Sequence, residues 1–145
     1  GLDPSSKKEV INYSTAKELL ALMKEIIKNY PQILETTSIP QYDIKTTSGG
    51  YNHTAISTDK FLSDEGERLL CRGEPLKIAG GKTGSTDLAK KNLILVAESP
   101  NNHGYLITVI LSANDNFLET KNLVNWLCES YEWPEPIENI LQNGG

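Results

Sequence analysis

The sequence predicts an α+β domain in which an antiparallel sheet is flanked by helices. Three observations carry that prediction. Two nearly continuous apolar runs, 93–97 and 106–111, are separated by Pro100-Asn101-Asn102-His103-Gly104 and read as neighbouring strands covered on both faces. An amphipathic helical repeat follows Thr15, and a second apolar stripe follows Asn116. The cover for the sheet therefore lies within the chain itself.

Ser14 or Thr15 suits a helix cap, and Glu18, three residues after Thr15, completes a capping box. Leu19, Met23, Ile26, Ile27 and Tyr30 then recur at helical spacing. Pro31 ends this helix or opens a short second one. The runs 42–46 and 51–58 are rich in strand formers and are joined by Thr47-Ser48-Gly49-Gly50, which reads as a hairpin loop. The polar passage 59–75 carries Gly66 and Gly73 and reads mostly as loop, with Ser63-Asp64-Glu65 starting at most one helical turn. Its carboxylates Asp64, Glu65 and Glu67 read as a solvated charge run. After the two apolar strands, Asn116 with Glu119 marks a helix start, and Phe117, Leu118, Val124, Leu127 and Tyr131 form the stripe. Pro134, Pro136 and Gly144-Gly145 divide the chain into a folded portion over 1–132 and an exit linker over 133–145.

At 145 residues and 38% hydrophobic, the chain buries one core. Its 14 basic and 19 acidic residues leave a net charge of -5, which disfavours nucleic acid as a partner, since phosphate binding needs clustered Lys and Arg. No run of eighteen apolar residues is present for a membrane span. The chain starts at Gly1 rather than Met, so any native leader or upstream region is expected to have been removed. Cys71 and Cys128 are too few for a disulfide framework and lack metal-ligand spacing, and they are expected to stay unbonded to each other. Cys71 has no adjacent His or helix start to lower its pKa and is read as structural or incidental. His53 and His103 each sit alone in polar stretches and read as surface histidines. No metal and no cofactor is expected.

The segment that carries chemistry is Ala79-Gly80-Gly81-Lys82-Thr83-Gly84-Ser85-Thr86, immediately ahead of the first apolar strand. Alone, Lys82 would read as a solvated turn lysine. Two glycines before it and one after Thr83 allow close backbone approach, and the turn Thr86-Asp87-Leu88-Ala89 places the segment at a sheet edge. An ammonium and a hydroxyl at such an edge suit the grip of a carboxylate, and an edge strand accepts an extended peptide as one more strand. A nucleophile of the Ser-x-x-Lys kind, which would have to sit opposite this strand, does not occur in a usable form. The chain reads as part of a catalytic domain.

Several stretches together resemble one family, the serine D-alanyl-D-alanine carboxypeptidases among the penicillin-binding proteins. Gly1-Leu2-Asp3 looks like its His-Gly-Leu-Asp segment, and Tyr13-Ser14-Thr15-Ala16-Lys17-Glu18-Leu19 resembles the helix start that follows it. Gly80-Gly81-Lys82-Thr83-Gly84 is similar to its third active-site motif. The runs 92–97 and 106–113 resemble its next two strands, and 121–126 its closing helix. The matches keep the family's order over nearly the whole chain. The sequence departs from the pattern at Ser85, where an aromatic residue or His is common, at Lys90-Lys91, where a Gly-aromatic pair is common, and at Thr58-Asp59-Lys60, in place of an Asn-rich segment.

The resemblance implies a penicillin-binding protein or β-lactamase-like transpeptidase fold, whose five-stranded antiparallel sheet takes its last three strands from this chain. The Ser-x-x-Lys nucleophile and the Ser-x-Asn element would lie upstream of Gly1. By the same resemblance, Lys82 attracts the terminal carboxylate of a D-Ala-D-Ala stem peptide or a β-lactam, and Thr83 donates its hydroxyl to it. The backbone N–H of Ser85 supplies one oxyanion donor, with Gly84 and Thr86 completing the substrate-binding stretch. The implied activity is removal of the terminal D-alanine from peptidoglycan stem peptides through an acyl-enzyme, outside the cytoplasm in the cell envelope, with this chain inactive alone. A serine β-lactamase, or a non-catalytic module that binds peptide carboxylates or pairs with a partner chain, shares the same motif. If the family's first strand is absent, strand 105–113 presents an open edge and a homodimer is expected.

Overall fold

The computed structural model describes residues 12–63, 67–100 and 104–133. The resemblance noted for residues 1–3, the helical turn allowed at Asp64-Glu65, and His103 fall outside those residues. Among the described residues no helix is long and apolar enough to cross a membrane.

Three layers are built from the predicted elements. Helix α1 (Ala16–Asn29) begins on Thr15, whose side chain accepts from the Glu18 N–H (3.2 Å) while Glu18 Oε2 accepts from the Thr15 N–H (2.9 Å), the reciprocal capping box read in the sequence. Pro31 opens a second helix, α2 (Pro31–Thr37), at its first position. A hairpin follows, β1 (Gln41–Lys45) with β2 (Tyr51–Ile56). The passage read as loop contains one turn of 3-10 helix (Lys60–Leu62) and a small hairpin, β3 (Leu70–Cys71) with β4 (Glu74–Pro75). Its two-residue turn, Arg72-Gly73, has both φ angles positive, at 52° and 88°, as a hairpin turn that follows the strand twist requires. The main sheet is antiparallel with strand order β5 (Ile78–Thr86), β6 (Lys90–Glu98), β7 (Tyr105–Ala113), and α3 (Asn116–Ser130) closes the described chain.

The apolar runs of β6 and β7 are covered on both faces because their alternate residues enter different cores. Leu93, Leu95 and Ala97 pack with Phe61, Leu69, Phe117 and Val124 under α3. Val96, one residue out of phase, packs with Met23 and Leu34 under α1 and α2, against which Ile94 also lies. Leu93 and Val96 are fully buried.

Two expectations about α3 are corrected. Its cap is Asp115, which accepts from the N–H groups of Phe117 and Leu118, each at 3.1 Å, rather than Asn116. Its buried face is Phe117, Thr120, Val124 and Cys128, whereas Leu118 and Tyr131 are more than half exposed. Residues 117, 120, 124 and 128 step by three and four, and Leu118 lies about 100° off that line. Thr120 enters the core because its hydroxyl donates to the Asn116 carbonyl at 2.7 Å. Trp133, where the exit linker was placed to begin, packs half-buried against the α3 core.

The expectation that the cysteines stay unbonded is overturned. Cys71 and Cys128 form a disulfide, with 5.6 Å between their Cα atoms and 57 residues between them in sequence. It fastens the β3–β4 hairpin to α3 inside the core. Arg72 adds a second strap, donating from Nε to the Cys128 carbonyl (2.9 Å) and from Nη2 to the Tyr131 carbonyl (3.1 Å) at the end of the helix.

Candidate functional site

The lysine-threonine-glycine segment lies on β5, which pairs only with β6 among the described residues and so forms a sheet edge. Close contacts fix its position. Gly80 and Gly81 are buried. A Cβ at Gly81 would stand 2.7 Å from the Ile94 carbonyl oxygen, and one at Gly80 2.6 Å from Thr37 Oγ1, with φ at 153°. Gly81→Ala is therefore expected to lower the unfolding free energy by about 1–3 kcal/mol, since the opposing group is backbone and cannot swing aside. Urea unfolding measures this, and an unchanged midpoint would contradict the packing described.

The Gly81 N–H points away from β6 and donates to Thr37 Oγ1 at 3.3 Å. With a strand period of two, and a regular register from Gly81 to Thr86, the N–H groups of Thr83 and Ser85 face the same open edge. Farther along, Thr86 Oγ1 accepts from the Ala89 N–H (3.0 Å), so that hydroxyl braces the turn into β6.

Lys82 is exposed and Thr83 half-buried. The Lys82 ammonium donates to the Thr83 carbonyl at 2.6 Å. The Thr83 hydroxyl is hydrogen-bonded to the hydroxyl of Thr58, just after β2, which ties the β1–β2 hairpin side to the edge strand. Lys82 and Thr83 stand between two grooves. One, about 450 Å³, lies toward the hairpin and α2 and is walled by Ile39, Tyr42, Ile56 and Asp59. The other, about 490 Å³, runs past Gly84 and Ser85 to Lys60, Lys91 and the start of α3. Gly84 and Ser85 are exposed along it.

Asp59 entered the sequence reading only as part of the departure Thr58-Asp59-Lys60, with no role of its own. Its Oδ1 accepts from the Phe61 N–H (3.0 Å) and caps the short 3-10 turn, while Oδ2 is buried without a partner among the described residues. The residue is 4% exposed. Desolvation raises its pKa above the ordinary carboxylate value, and the Phe61 N–H opposes that shift. The native state therefore holds this proton to higher pH than the unfolded chain does. Stability is expected to fall as pH rises from about 4 through the raised native value, beyond which the full cost of burying the charge is present. Asp59→Asn keeps the acceptor for Phe61 and should remove that slope from urea midpoints measured against pH. A slope unchanged in the variant would exclude Asp59 as its source.

Ser-x-x-Lys is spelled at Ser5, Ser14 and Ser57, and Ser-x-Asn at Ser99 and Ser112, with Ser5 and Asn101 outside the described residues. Ser57 lines the hairpin-side groove, where its Oγ accepts from the Asp59 N–H at 3.2 Å, while the Lys60 ammonium of the same motif lies over the Phe117 ring. Ser14 precedes Lys17 by three residues at the head of α1, but its hydroxyl donates to Glu18 Oε2 (3.2 Å) and the Thr15 carbonyl (3.4 Å). Helix α1 packs on β7 and α2, so Ser14 is not opposite β5. Ser112, followed by Ala113 and Asn114, lies at the end of β7, two strands from β5. His53 is exposed on β2, with Nδ1 3.3 Å from Asn52 Oδ1, and takes no part in either groove. Among the described residues no group of His, Cys, Asp and Glu is arranged to hold a metal ion.

Residues 1–115 match the model of a peptidase family described as D-alanyl-D-alanine carboxypeptidase. Among solved structures, the chain is similar to a peptidoglycan synthesis regulatory factor (PBP3) from Streptococcus pneumoniae, with a TM-score of 0.65 and 28% identity. The match covers 87% of this chain and 36% of that one, so this chain spans about a third of its solved relative.

Proposed function

This chain belongs to the D-alanyl-D-alanine carboxypeptidase family, and from that premise we propose that its β5 edge holds the substrate while a serine from outside this sequence attacks it. The substrate is a peptidoglycan stem peptide ending in D-Ala-D-Ala, or a β-lactam that imitates it. Lys82 and Thr83 hold the terminal carboxylate by a charge-assisted and a neutral hydrogen bond. The serine oxygen adds to the carbonyl carbon of the penultimate residue, the terminal D-alanine leaves as the amine, and water then hydrolyses the acyl-enzyme ester. The oxyanion formed in each addition is stabilised by the Ser85 N–H, a donor of a kind worth about 3–4 kcal/mol of barrier. That N–H belongs to the backbone, so replacing the Ser85 side chain leaves it in place.

The observation that carries this reading is the placement of Lys82 and Thr83 together at an open strand edge between two grooves. The bonded Cys71 and Cys128 support an oxidising compartment outside the cytoplasm. Titration of this chain with acetyl-D-Ala-D-Ala should give saturable shifts in the amide signals of β5. Incubation with benzylpenicillin should give no covalent adduct by mass spectrometry. Absence of binding would sink the reading, and a stoichiometric adduct would show a nucleophile within this chain.

The second strand edge supports self-association. Strand β7 pairs only with β6 among the described residues, and its Tyr105 and Leu111 are partly exposed. Two copies of this chain are expected to pair through β7. Light scattering at high concentration should report a dimer, and a clean monomer would contradict the pairing.

A further inference from the structure

The hydroxyl of Thr58 is set against Thr83 by buried neighbours on its own segment. Asp59 is 4% exposed and lies over Gly81, its Oδ2 standing 3.4 Å from where a Cβ on that glycine would be. Phe61 packs T-shaped against Phe117, with ring centroids 5.3 Å apart, and its N–H donates to Asp59 Oδ1. The Asp59 N–H donates in turn to Ser57 Oγ at 3.2 Å. Gly81 and Thr83 share one face of β5, so a segment that seats Asp59 over Gly81 brings Thr58, the residue before it, over Thr83. Among the described residues, Thr58, Lys82 and Thr83 are the three that line both grooves beside the edge.

Proton counting then bears on how Thr83 can act. A threonine hydroxyl carries one proton and two acceptor lone pairs. Among the described residues, the Thr58 and Thr83 hydroxyls have each other as hydrogen-bond partner. One proton therefore bridges the two oxygens, and the other stays on whichever oxygen accepts the bridge. If Thr83 donates, its proton is engaged by Thr58, and a carboxylate beside Thr83 meets only lone pairs. If Thr58 donates, Thr83 keeps a proton that can turn outward. An ionised carboxylate accepts and never donates, so only the second direction suits it.

We propose that Thr58 is a positioning residue: its hydroxyl donates to Thr83 Oγ1 and so keeps the Thr83 proton aimed at the terminal carboxylate of the substrate. The inference rests on that carboxylate being held at Lys82 and Thr83. Thr58 does not itself touch the substrate. Accepting a bond also makes the Thr83 hydroxyl a stronger donor, because chained hydrogen bonds polarise one another. The need is for a hydroxyl and not for the shape of threonine, so serine serves in its place and valine does not.

Acetyl-D-Ala-D-Ala and its C-terminal carboxamide, titrated into this chain and its variants, test the role. Thr58→Val should bind the free acid about threefold more weakly. The carboxamide presents both a donor and an acceptor and suits either direction of the bridge, so its affinity should stay the same. Thr58→Ser should bind the acid as the unmodified chain does. On a Thr83→Val background, where no hydroxyl remains to be oriented, Thr58→Val should add nothing. Thr58 is exposed, so the variants are expected to fold, and unfolding curves check that they do. Unchanged acid binding by Thr58→Val, or a serine variant as weak as the valine one, overturns the role. Equal weakening of acid and amide would make Thr58 a strap that only holds the strand, and a further loss on the Thr83→Val background would make it a direct contact of the ligand. Each of these overturns the proposal and leaves the terminal-carboxylate reading standing, whereas failure of the unmodified chain to bind the acid overturns both.

Discussion

Replacing Cys71 and Cys128 together by alanine is expected to lower the unfolding free energy by about 4 kcal/mol, the largest change predicted for stability. The size follows from the 57-residue separation of the two cysteines. A cross-link over so long a loop removes many conformations from the unfolded chain. Both cysteines are buried, at 5% and 1% exposure, so their removal also leaves space in the α3 core. The melting temperature should fall by roughly 15 °C. The bond joins β3 to α3, whereas the lysine-threonine-glycine segment lies on β5 and is held by Thr37, Thr58 and the β6 register. Peptide binding at a temperature where the variant remains folded should therefore change little. Calorimetry of both forms measures the first effect, and a loss below about 1 kcal/mol would mean that the bond constrains the unfolded chain far less than its loop length implies.

Lys82→Gln is expected to have the largest effect on ligand binding, about 2 kcal/mol or roughly 30-fold weaker affinity for a peptide with a free terminal carboxylate. Glutamine retains a donor and much of the length, so the change isolates the charge. Charge-assisted bonds to carboxylate are about twice as strong as neutral ones. Thr83→Val removes a neutral donor that is also bonded to Thr58 and should cost less, about 1 kcal/mol. Titration calorimetry at fixed ionic strength compares the two variants. A Lys82→Gln variant that binds as well as the unmodified chain would assign the carboxylate to another cation.

Much of the fold, and the position of the lysine-threonine-glycine segment on an edge strand, were legible in the sequence because their signals are local. The capping box at Thr15 and Glu18 is a spacing of three residues, and β6 and β7 announce themselves as uninterrupted apolar runs. The glycines before Lys82 correctly signalled close backbone approach, which the structure shows as the contacts of Gly80 and Gly81 with α2 and β6. The parts that were not legible depend on distant neighbours. The Cys71–Cys128 bond spans 57 residues, and nothing near either cysteine encodes it. Leu118 and Tyr131 were assigned to the buried stripe of α3 for their apolarity, while Thr120 took a core position once its hydroxyl was satisfied within the helix. Asp59 passed as an ordinary polar residue because its burial comes from packing beside Gly81 and Phe61. Its side-chain oxygen two residues before the Phe61 N–H was the available local clue. Thr58 and Thr83 are likewise far apart in sequence and meet only when the segment after β2 packs on β5.

The central claim is that Lys82 and Thr83 grip a terminal carboxylate, and the most direct measurement compares acetyl-D-Ala-D-Ala with its C-terminal carboxamide on this chain at one ionic strength. The two differ by a single charge at the atom in question. The account predicts that the free acid binds about 30-fold more tightly and that Lys82→Gln removes most of the difference. Equal affinity for acid and amide would contradict it.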